Sequence, residues 1–183
     1  MIVDKKFDII IYGATGFTGQ LCVKYLAKNA NDLNWAIAGR NRVKLENLKS
    51  NLSLDIDIFI ADGDDNEALD EITKNTRVVL STAGPFHRYS SNLVKSCVKN
   101  FSHYVDITGE FFWIRDMIDL YHEEASSKGI RIIPACGYDS IPSDLGTFFA
   151  SSKINGPVKR IESFHAGQGG ISGGTTETGF SMG

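Results

Sequence analysis

The sequence has 183 residues, of which 42% are hydrophobic and 22% are charged, a composition typical of soluble globular proteins. Its 19 Lys and Arg residues are interspersed with 22 Asp and Glu, giving a net charge of −3 without a basic block, so nucleic-acid binding is not expected. No apolar run approaches the roughly 20 residues that cross a bilayer, and Met1–Asp8 leads into a strand instead of a signal peptide, which predicts a cytoplasmic protein without an integral membrane segment.

Short apolar segments alternate with amphipathic helical segments along most of the chain. We predict six strands: Phe7–Tyr12, Asn34–Ala38, Ile56–Ile60, Arg77–Ser81, His103–Ile107 and Ile130–Pro134. Apolar residues at helical spacing predict the helices Thr18–Ala30, Arg42–Leu52, Asn66–Lys74, Ser91–Asn100, Ile114–Lys128 and Ser143–Ala150. This alternation, with its short connections, predicts an α/β fold built on a doubly wound parallel sheet.

The character of the chain changes near residue 151. Val158–Ala166 alternates apolar and polar residues like a half-exposed strand, and Gly167–Gly183 is rich in Gly, Ser and Thr. We therefore expect residues 1–150 to form one domain and residues 151–183 to begin a second, mixed α/β domain that this sequence does not complete. A flexible C-terminal tail of the same composition is the alternative.

A glycine-rich segment, Gly13–Gly19, joins the first strand to the first helix. Gly13 permits a tight turn, Gly16 clears space for a pyrophosphate near the backbone, and Gly19 lets the helix pack closely on the sheet. The N–H groups at the helix start and the helix dipole would then bind the anion, which predicts a Rossmann-type dinucleotide site. The other side chains expected to donate to the phosphates or to shield them are Thr15, Thr18 and Phe17.

The residues after the second strand select the nucleotide. An acid there favours NAD, whereas this sequence has Arg40 and Asn41 and no acid, so we expect the 2′-phosphate of NADP(H) to be bound there. Asp62, after the third strand, fits either a contact with the adenine amino group or a turn or cap role. The loop after the fourth strand is expected beside the ribose and nicotinamide through Thr82, Ala83, Gly84 and Phe86.

No catalytic group is identified firmly, but two segments follow strands at the expected cofactor edge. Asp106 and Glu110 follow the fifth strand and are either an acid or base or caps of the next helix. Tyr138 and Asp139 follow the sixth strand and are candidates for substrate contact. Caps of the last helix are expected at Ser143 and Asp144, and a surface position is favoured over a cleft position for His87.

Other chemistries lack their sequence signals. None of the six tyrosines is followed four positions later by Lys, which disfavours the proton relay of short-chain dehydrogenases and of related sugar epimerases. The three cysteines form no CxxC pair, and no group of residues has metal-ligand spacing, so no metal site is predicted.

Several motifs together resemble the saccharopine dehydrogenase-like family, in particular its branch of saccharopine dehydrogenase-like oxidoreductases and trans-acting enoyl reductases. The matching stretches are GATGFTG (13–19), WAIAGRN (35–41), AGPFHRYS (83–90), HYVDITGE (103–110) and CGYDSIPSD (136–144), and SGGT (172–175) resembles the start of the family's second domain. The resemblance implies NADP(H), hydride transfer, and a second domain for substrate binding and dimerisation.

Two classes of function follow from these observations. The first is an NADP(H)-dependent oxidoreductase acting on an amino-acid adduct or an enoyl or lipid intermediate, with a homodimer expected for the full-length protein. The alternative is a non-catalytic NADP(H)-binding sensor or scaffold, because a fold alone does not establish turnover.

Overall fold

The computed structural model describes residues 4–166 together with residues 168, 170, 173, 176 and 179. This part of the chain forms a six-stranded sheet in the order β3-β2-β1-β4-β5-β6, and all of its neighbouring strands are parallel. The strands are β1 (Phe7–Tyr12), β2 (Trp35–Gly39), β3 (Asp57–Ile60), β4 (Thr76–Ser81), β5 (His103–Asp106) and β6 (Ile132–Ile133). The predicted doubly wound parallel sheet is confirmed.

The helices are α1 (Phe17–Asn29), α2 (Arg42–Asn51), α3 (Asn66–Asn75), α4 (Phe86–Tyr89), α5 (Ser91–Lys99), α6 (Phe111–Ser127) and α7 (Ile141–Ser152). The sequence did not predict α4, because four residues are too few to show a helical period. Helix α6 begins at Phe111 and not at Ile114. Its N-cap is Glu110, whose side chain makes no capping hydrogen bond, so the usual start signal of a helix is missing.

The sheet is buried on both faces, which explains why β1 is a continuous apolar run. Ile10 and Ile11 are fully buried and point to opposite faces, as successive strand residues do. Helices α1 and α2 cover the Ile11 face with Val23, Leu45 and Leu48. Helices α3, α5 and α6 cover the Ile10 face with Leu69, Ile72, Leu93, Cys97, Trp113 and Met117.

The C-terminal part of the described chain departs from the predicted pattern. The strand predicted at Val158–Ala166 is wrong: the residues that the structure describes include no strand there, and Phe164 is 91% exposed. An isolated strand has no neighbour for its N–H and C=O groups, so alternation alone does not produce one. Most of the predicted Gly-rich tail, with three of the four residues of the 172–175 motif, lies outside the described residues, and the domain boundary at 150 stays a prediction.

Helix α7 starts earlier than predicted. Its N-cap is Ser140, whose side chain makes no capping hydrogen bond, so Ser143 and Asp144 lie within the first turn and do not cap the helix. None of the side chains of α7 is buried. Among the described residues, no helix is long and apolar enough to cross a membrane.

Candidate functional site

The turn between β1 and α1 is closed against the loop that follows β4. Gly13 has a φ of +82°, and its N–H donates to the Ala38 carbonyl at 3.0 Å. A Cβ on Gly13 would lie 2.9 Å from the Ala83 nitrogen. Both the backbone conformation and this close approach therefore require glycine.

Helix α1 begins at this turn without a side-chain cap. Its N-cap is Gly16, whose N–H donates to the Gly13 carbonyl at 3.0 Å, and its first turn carries no acidic residue. The N–H groups of a first helical turn have no intrahelical acceptor and lie at the positive end of the helix dipole. A Cβ on Gly19 would overlap the Gly13 carbonyl oxygen, so this glycine lets the helix start directly behind the turn. The free N–H groups at the start of α1 and the positive end of its dipole therefore form a site suited to an anion.

A cleft of about 180 Å³ opens at the carboxyl ends of β1–β4. Its wall is formed by Tyr12, Gly13, Thr15, Gly16, Gly39, Arg40, Asp62, Gly63, Thr82, Ala83, Gly84 and Tyr89. The structure thus brings together eight of the thirteen residues that the sequence nominated for the cofactor. The other five are not part of this wall: Phe17, Thr18, Gly19, Asn41 and Phe86.

The five nominated residues outside the wall have other surroundings. Phe17 and Thr18 lie in the first turn of α1, where Phe17 is exposed. The Asn41 side chain caps α2 by accepting a hydrogen bond from the Lys44 N–H at 3.0 Å. Phe86 is buried, and its ring centroid lies 6.1 Å from that of Trp113. It therefore anchors the loop after β4 in the core.

Sequence reasoning missed four residues of the cleft wall, namely Tyr12, Gly39, Gly63 and Tyr89. Tyr89 lies in the 83–90 motif and Gly63 directly follows Asp62, so both were adjacent to recognised signals. Arg40 is exposed, forms no ion pair with any residue that the structure describes, and places its Cζ over the Tyr89 ring, 5.8 Å from the centroid.

The cleft has a mixed electrostatic character near Tyr12. Burial and, to a smaller extent, the Asp62 carboxylate raise the pKa of Tyr12 to about 12, although the Arg40 guanidinium opposes this shift. The Tyr12 hydroxyl is therefore protonated at neutral pH. Asp62 itself accepts a long hydrogen bond from the Asp64 N–H at 3.4 Å, as in a turn, and Asp65 is the residue that caps α3.

Thr82 fixes the loop after β4 against the phosphate turn. Its hydroxyl donates to the carbonyl oxygens of Tyr12 and Gly13 at 3.2 and 3.1 Å. The Thr82 N–H also donates to the Tyr12 carbonyl, at 2.9 Å. The two loops that flank the point where strand order reverses are thus joined by direct hydrogen bonds.

Asp106 lies at the end of β5 and is 1% exposed. Its Oδ1 accepts from the N–H groups of Thr108 and Ala135, both at 3.0 Å, and its Oδ2 accepts from the Tyr104 hydroxyl at 2.8 Å. Burial raises the pKa of this carboxyl, and these hydrogen bonds partly offset the shift. The carboxylate links the loops that follow β5 and β6.

Glu110 is fully buried and stabilises a helix other than the one it precedes. Its Oε1 accepts from the Phe86 N–H at 3.0 Å, and its Oε2 accepts from the His87 N–H at 2.8 Å. The carboxylate therefore caps α4, and the prediction that it caps α6 is wrong. His87 Nδ1 lies 2.8 Å from Oε2, the His87 side chain is 25% exposed, and His87 is not among the residues of the cleft wall.

Tyr138 and Asp139 are exposed at the same end of the sheet, after β6. The Tyr138 ring lies edge-on to His165, with 6.2 Å between centroids. Within the described part of the chain, no group of His, Cys, Asp and Glu residues is arranged to hold a metal ion.

A parallel sheet in this strand order, with a glycine-rich turn and an uncapped helix at its switch point, defines a Rossmann nucleotide-binding domain. Residues 9–133 match the family model described as saccharopine dehydrogenase NADP-binding domain. The chain belongs to this family. Its cofactor is NADP(H), as predicted, and the cradle at Gly13 and Gly16 and the exposed Arg40 fit that dinucleotide.

Two named relatives are similar to this chain over most of the length of this chain. It is 37% identical over 186 residues to the human saccharopine dehydrogenase-like oxidoreductase, covering 92% of this chain and 43% of that protein. It is 41% identical over 148 residues to the trans-acting enoyl reductase of Mycobacterium tuberculosis, covering 79% of this chain and 35% of that protein. The chain thus spans less than half the length of these relatives.

The fold also agrees with a solved enzyme of the same family name. The apo saccharopine dehydrogenase (L-Glu forming) of Saccharomyces cerevisiae superposes with a TM-score of 0.67 at 22% identity. The superposition covers 80% of this chain and 31% of the yeast chain. At this identity the likeness shows the shared fold alone.

Proposed function

We propose that this chain is the cofactor-binding part of an NADP(H)-dependent oxidoreductase that transfers a hydride to a small-molecule or lipid substrate. The observation that carries the proposal is the cleft in which the Gly13–Gly19 turn faces Arg40 at the end of β2, with no acid at that position. The names of the relatives, an oxidoreductase and an enoyl reductase, support the reaction class.

Each part of the cleft has a role in this proposal. The N–H groups that begin α1, with the Thr15 hydroxyl, bind the pyrophosphate. Arg40 binds the 2′-phosphate as a fork of N–H donors, and Asp62 lies at the adenosine end. The loop Thr82–Gly84 runs beside the ribose and nicotinamide, because ligands of open parallel sheets lie beyond the carboxyl ends of the strands.

The hydride chemistry is supplied by the bound NADP(H), and the chain positions it. Asp106 acts as a positioning residue, because both of its oxygens are engaged in hydrogen bonds and it is buried. Tyr138 and Asp139, exposed at the cofactor edge, are the proposed substrate contacts in this chain. A cytoplasmic location, and a homodimer formed by the full-length protein, remain predictions.

A second candidate, an NADP(H)-binding sensor or scaffold without turnover, is favoured by one observation. Within the described part of the chain, the wall of the cleft contains no His, Lys or Cys, and its two tyrosines, Tyr12 and Tyr89, lie at the nucleotide end near Arg40. The described cleft thus binds a nucleotide without itself presenting an evident proton donor for a reduction.

Calorimetric titration with NADPH and NADH tests the cofactor assignment. We expect tight NADPH binding, weak NADH binding, and a selective loss of NADPH affinity in Arg40→Ala. Arg115→Ala is the matched control, because Arg115 is exposed on α6, lies outside the cleft wall and contacts Asp119 at 3.0 Å. Equal losses for both nucleotides in Arg40→Ala would remove Arg40 from the 2′-phosphate role.

Turnover distinguishes the two candidate functions. The full-length protein is incubated with NADPH and a panel of α,β-unsaturated acyl thioesters and of imine adducts of amino acids, and the absorbance of NADPH is followed. Substrate-dependent oxidation supports the oxidoreductase, whereas tight NADPH binding with no oxidation across both classes supports the sensor.

A further inference from the structure

Tyr89 ends helix α4 and contributes its side chain to the wall of the nucleotide cleft. Its aromatic ring lies under the Arg40 guanidinium, with 5.8 Å between Cζ and the ring centroid. Arg40 comes from the loop after β2, so this contact joins two loops that are far apart in sequence. It is a cation–π contact at the outer part of the range in which such contacts are attractive.

The main chain of Tyr89 is held in place by the loop after β3. A Cβ on Gly63 would lie 2.9 Å from the Tyr89 carbonyl oxygen and 3.1 Å from its Cα, so the two backbones are in direct contact. The Asn92 side chain donates to the Gly63 carbonyl at 2.9 Å, and the Tyr89 N–H donates to the Pro85 carbonyl at 3.2 Å. These contacts fix the position of the main chain from which the Tyr89 ring extends.

The contact matters because Arg40 is otherwise unrestrained. It is exposed and has no ion-pair partner among the described residues, although the carboxylate of Asp62 lies in the same cleft. A free arginine side chain loses much rotamer freedom when it binds a ligand. Stacking on an aromatic face restricts the guanidinium while its N–H groups, which lie in its plane, remain available for a phosphate.

We propose that Tyr89 is a specificity-determining positioning residue, which holds Arg40 over the cleft to receive the 2′-phosphate of the dinucleotide. The proposal rests on the proposed function of Arg40 and deepens it. It assigns the preference for a phosphorylated ribose to a pair of residues, one that contacts the phosphate and one that preorganises the contact. Preorganisation raises affinity by reducing the entropy lost on binding.

The test compares Tyr89→Leu, which removes the aromatic face, with Tyr89→Phe, which keeps it. Each variant is titrated by calorimetry with NADPH, with NADH, and with 2′,5′-ADP against 5′-AMP as probes that carry or lack the 2′-phosphate. In Tyr89→Leu we expect the Kd for NADPH and 2′,5′-ADP to rise about two- to fivefold, with NADH and 5′-AMP unchanged. Tyr89→Phe should keep the wild-type preference.

A double variant separates this proposal from the one on which it rests. In the Arg40→Ala background, Tyr89→Leu should cause no further loss of NADPH affinity, because the ring acts only through Arg40. If Arg40→Ala is selective but Tyr89→Leu is silent, or weakens all four ligands equally, the role of Tyr89 is overturned and that of Arg40 stands. If Arg40→Ala is itself unselective, both fall. Should Tyr89→Leu fail to fold, Tyr89→Met, also non-aromatic, replaces it.

Discussion

Glu110 Oε2 lies 2.8 Å from His87 Nδ1, and this contact joins the loops that follow β4 and β5 at the carboxyl edge of the sheet. The carboxylate is fully buried and also accepts the main-chain N–H groups of Phe86 and His87. It therefore supplies the acceptors that the start of α4 requires, from a residue 23 positions further along the chain. The loop carrying Thr82–Gly84 depends on this support.

Replacing Glu110 with Gln is expected to destabilise the fold. The amide keeps one acceptor but turns an NH2 group toward N–H donors that are already buried, which costs about 1–3 kcal/mol. Urea unfolding of Glu110→Gln measures the loss. Glu123→Gln is the control, because Glu123 is exposed on α6, the helix that follows Glu110. This variant should change the free energy of unfolding by no more than about 0.5 kcal/mol. Equal stability of the two variants would contradict the capping role.

The glycines of the phosphate turn are expected to fail in different ways. In Gly19→Ala the added methyl would overlap the Gly13 carbonyl oxygen and the Ala14 backbone, so α1 must move away from the turn. We expect a loss of about 3 kcal/mol, toward the upper part of the range for overpacked sites. Thermal and urea unfolding measure this change without any nucleotide.

Gly16→Val should spare the fold and remove binding. A Cβ there would lie 3.3 Å from the Gly13 carbonyl oxygen, and the position is exposed. An apolar residue at this N-cap costs about 1 kcal/mol. The branched side chain occupies the space proposed for the pyrophosphate, so calorimetry should detect neither NADPH nor NADH binding. Wild-type affinity in Gly16→Val would refute the phosphate-turn assignment.

The sequence predicted most of the sheet because periodicity is a local signal. Both ends of all six predicted strands lie within two residues of the observed ends, since each strand is an apolar run bounded by turn residues. The prediction failed where structure depends on partners: Val158–Ala166 alternates correctly but pairs with no strand in the part of the chain that is described. Pairing is a tertiary property that a pattern does not contain.

The nucleotide turn was predictable for the same reason, since Gly13–Gly19 is one continuous segment between a strand and a helix. Tyr89 was not, because its relation to Arg40 crosses the sheet between loops that no spacing rule connects. Glu110 was nominated as an acid, a base or a cap of the next helix, and only the folded chain shows that it caps α4. Contacts between loops that are far apart in sequence become visible only in the three-dimensional structure.

The buried carboxyl of Asp106 is expected to make stability depend on pH. Because burial raises its pKa in the folded state, the native chain holds this proton more tightly than the unfolded chain. The protonated carboxyl therefore makes its full contribution to the free energy of unfolding below the unfolded-state pKa of about 4. This contribution is lost as the pH rises through the pKa of the folded state.

The variant Asp106→Asn isolates this effect, since it cannot ionise. Its cost relative to wild type should be largest near pH 4 and smaller near pH 7, because only the wild type loses stability as the carboxyl ionises. Urea unfolding of both proteins across this range measures the difference. A cost that grows with pH would show that the ionised carboxylate, with its three donors, is the favoured native form.

Helix α7 should contribute little to the stability of this chain despite its apolar composition. Phe148 and Phe149 are 71% and 65% exposed, so truncating them removes little buried area, and the free energy of unfolding should change by no more than about 0.5 kcal/mol. The matched buried control is Leu93→Ala on α5, where Leu93 is fully buried and a loss of about 2–5 kcal/mol is expected. Urea unfolding of Phe148→Ser and Phe149→Ser measures the difference. A loss comparable to that of Leu93→Ala would mean that α7 is packed against the domain in solution, and the exposed face described for it would be wrong.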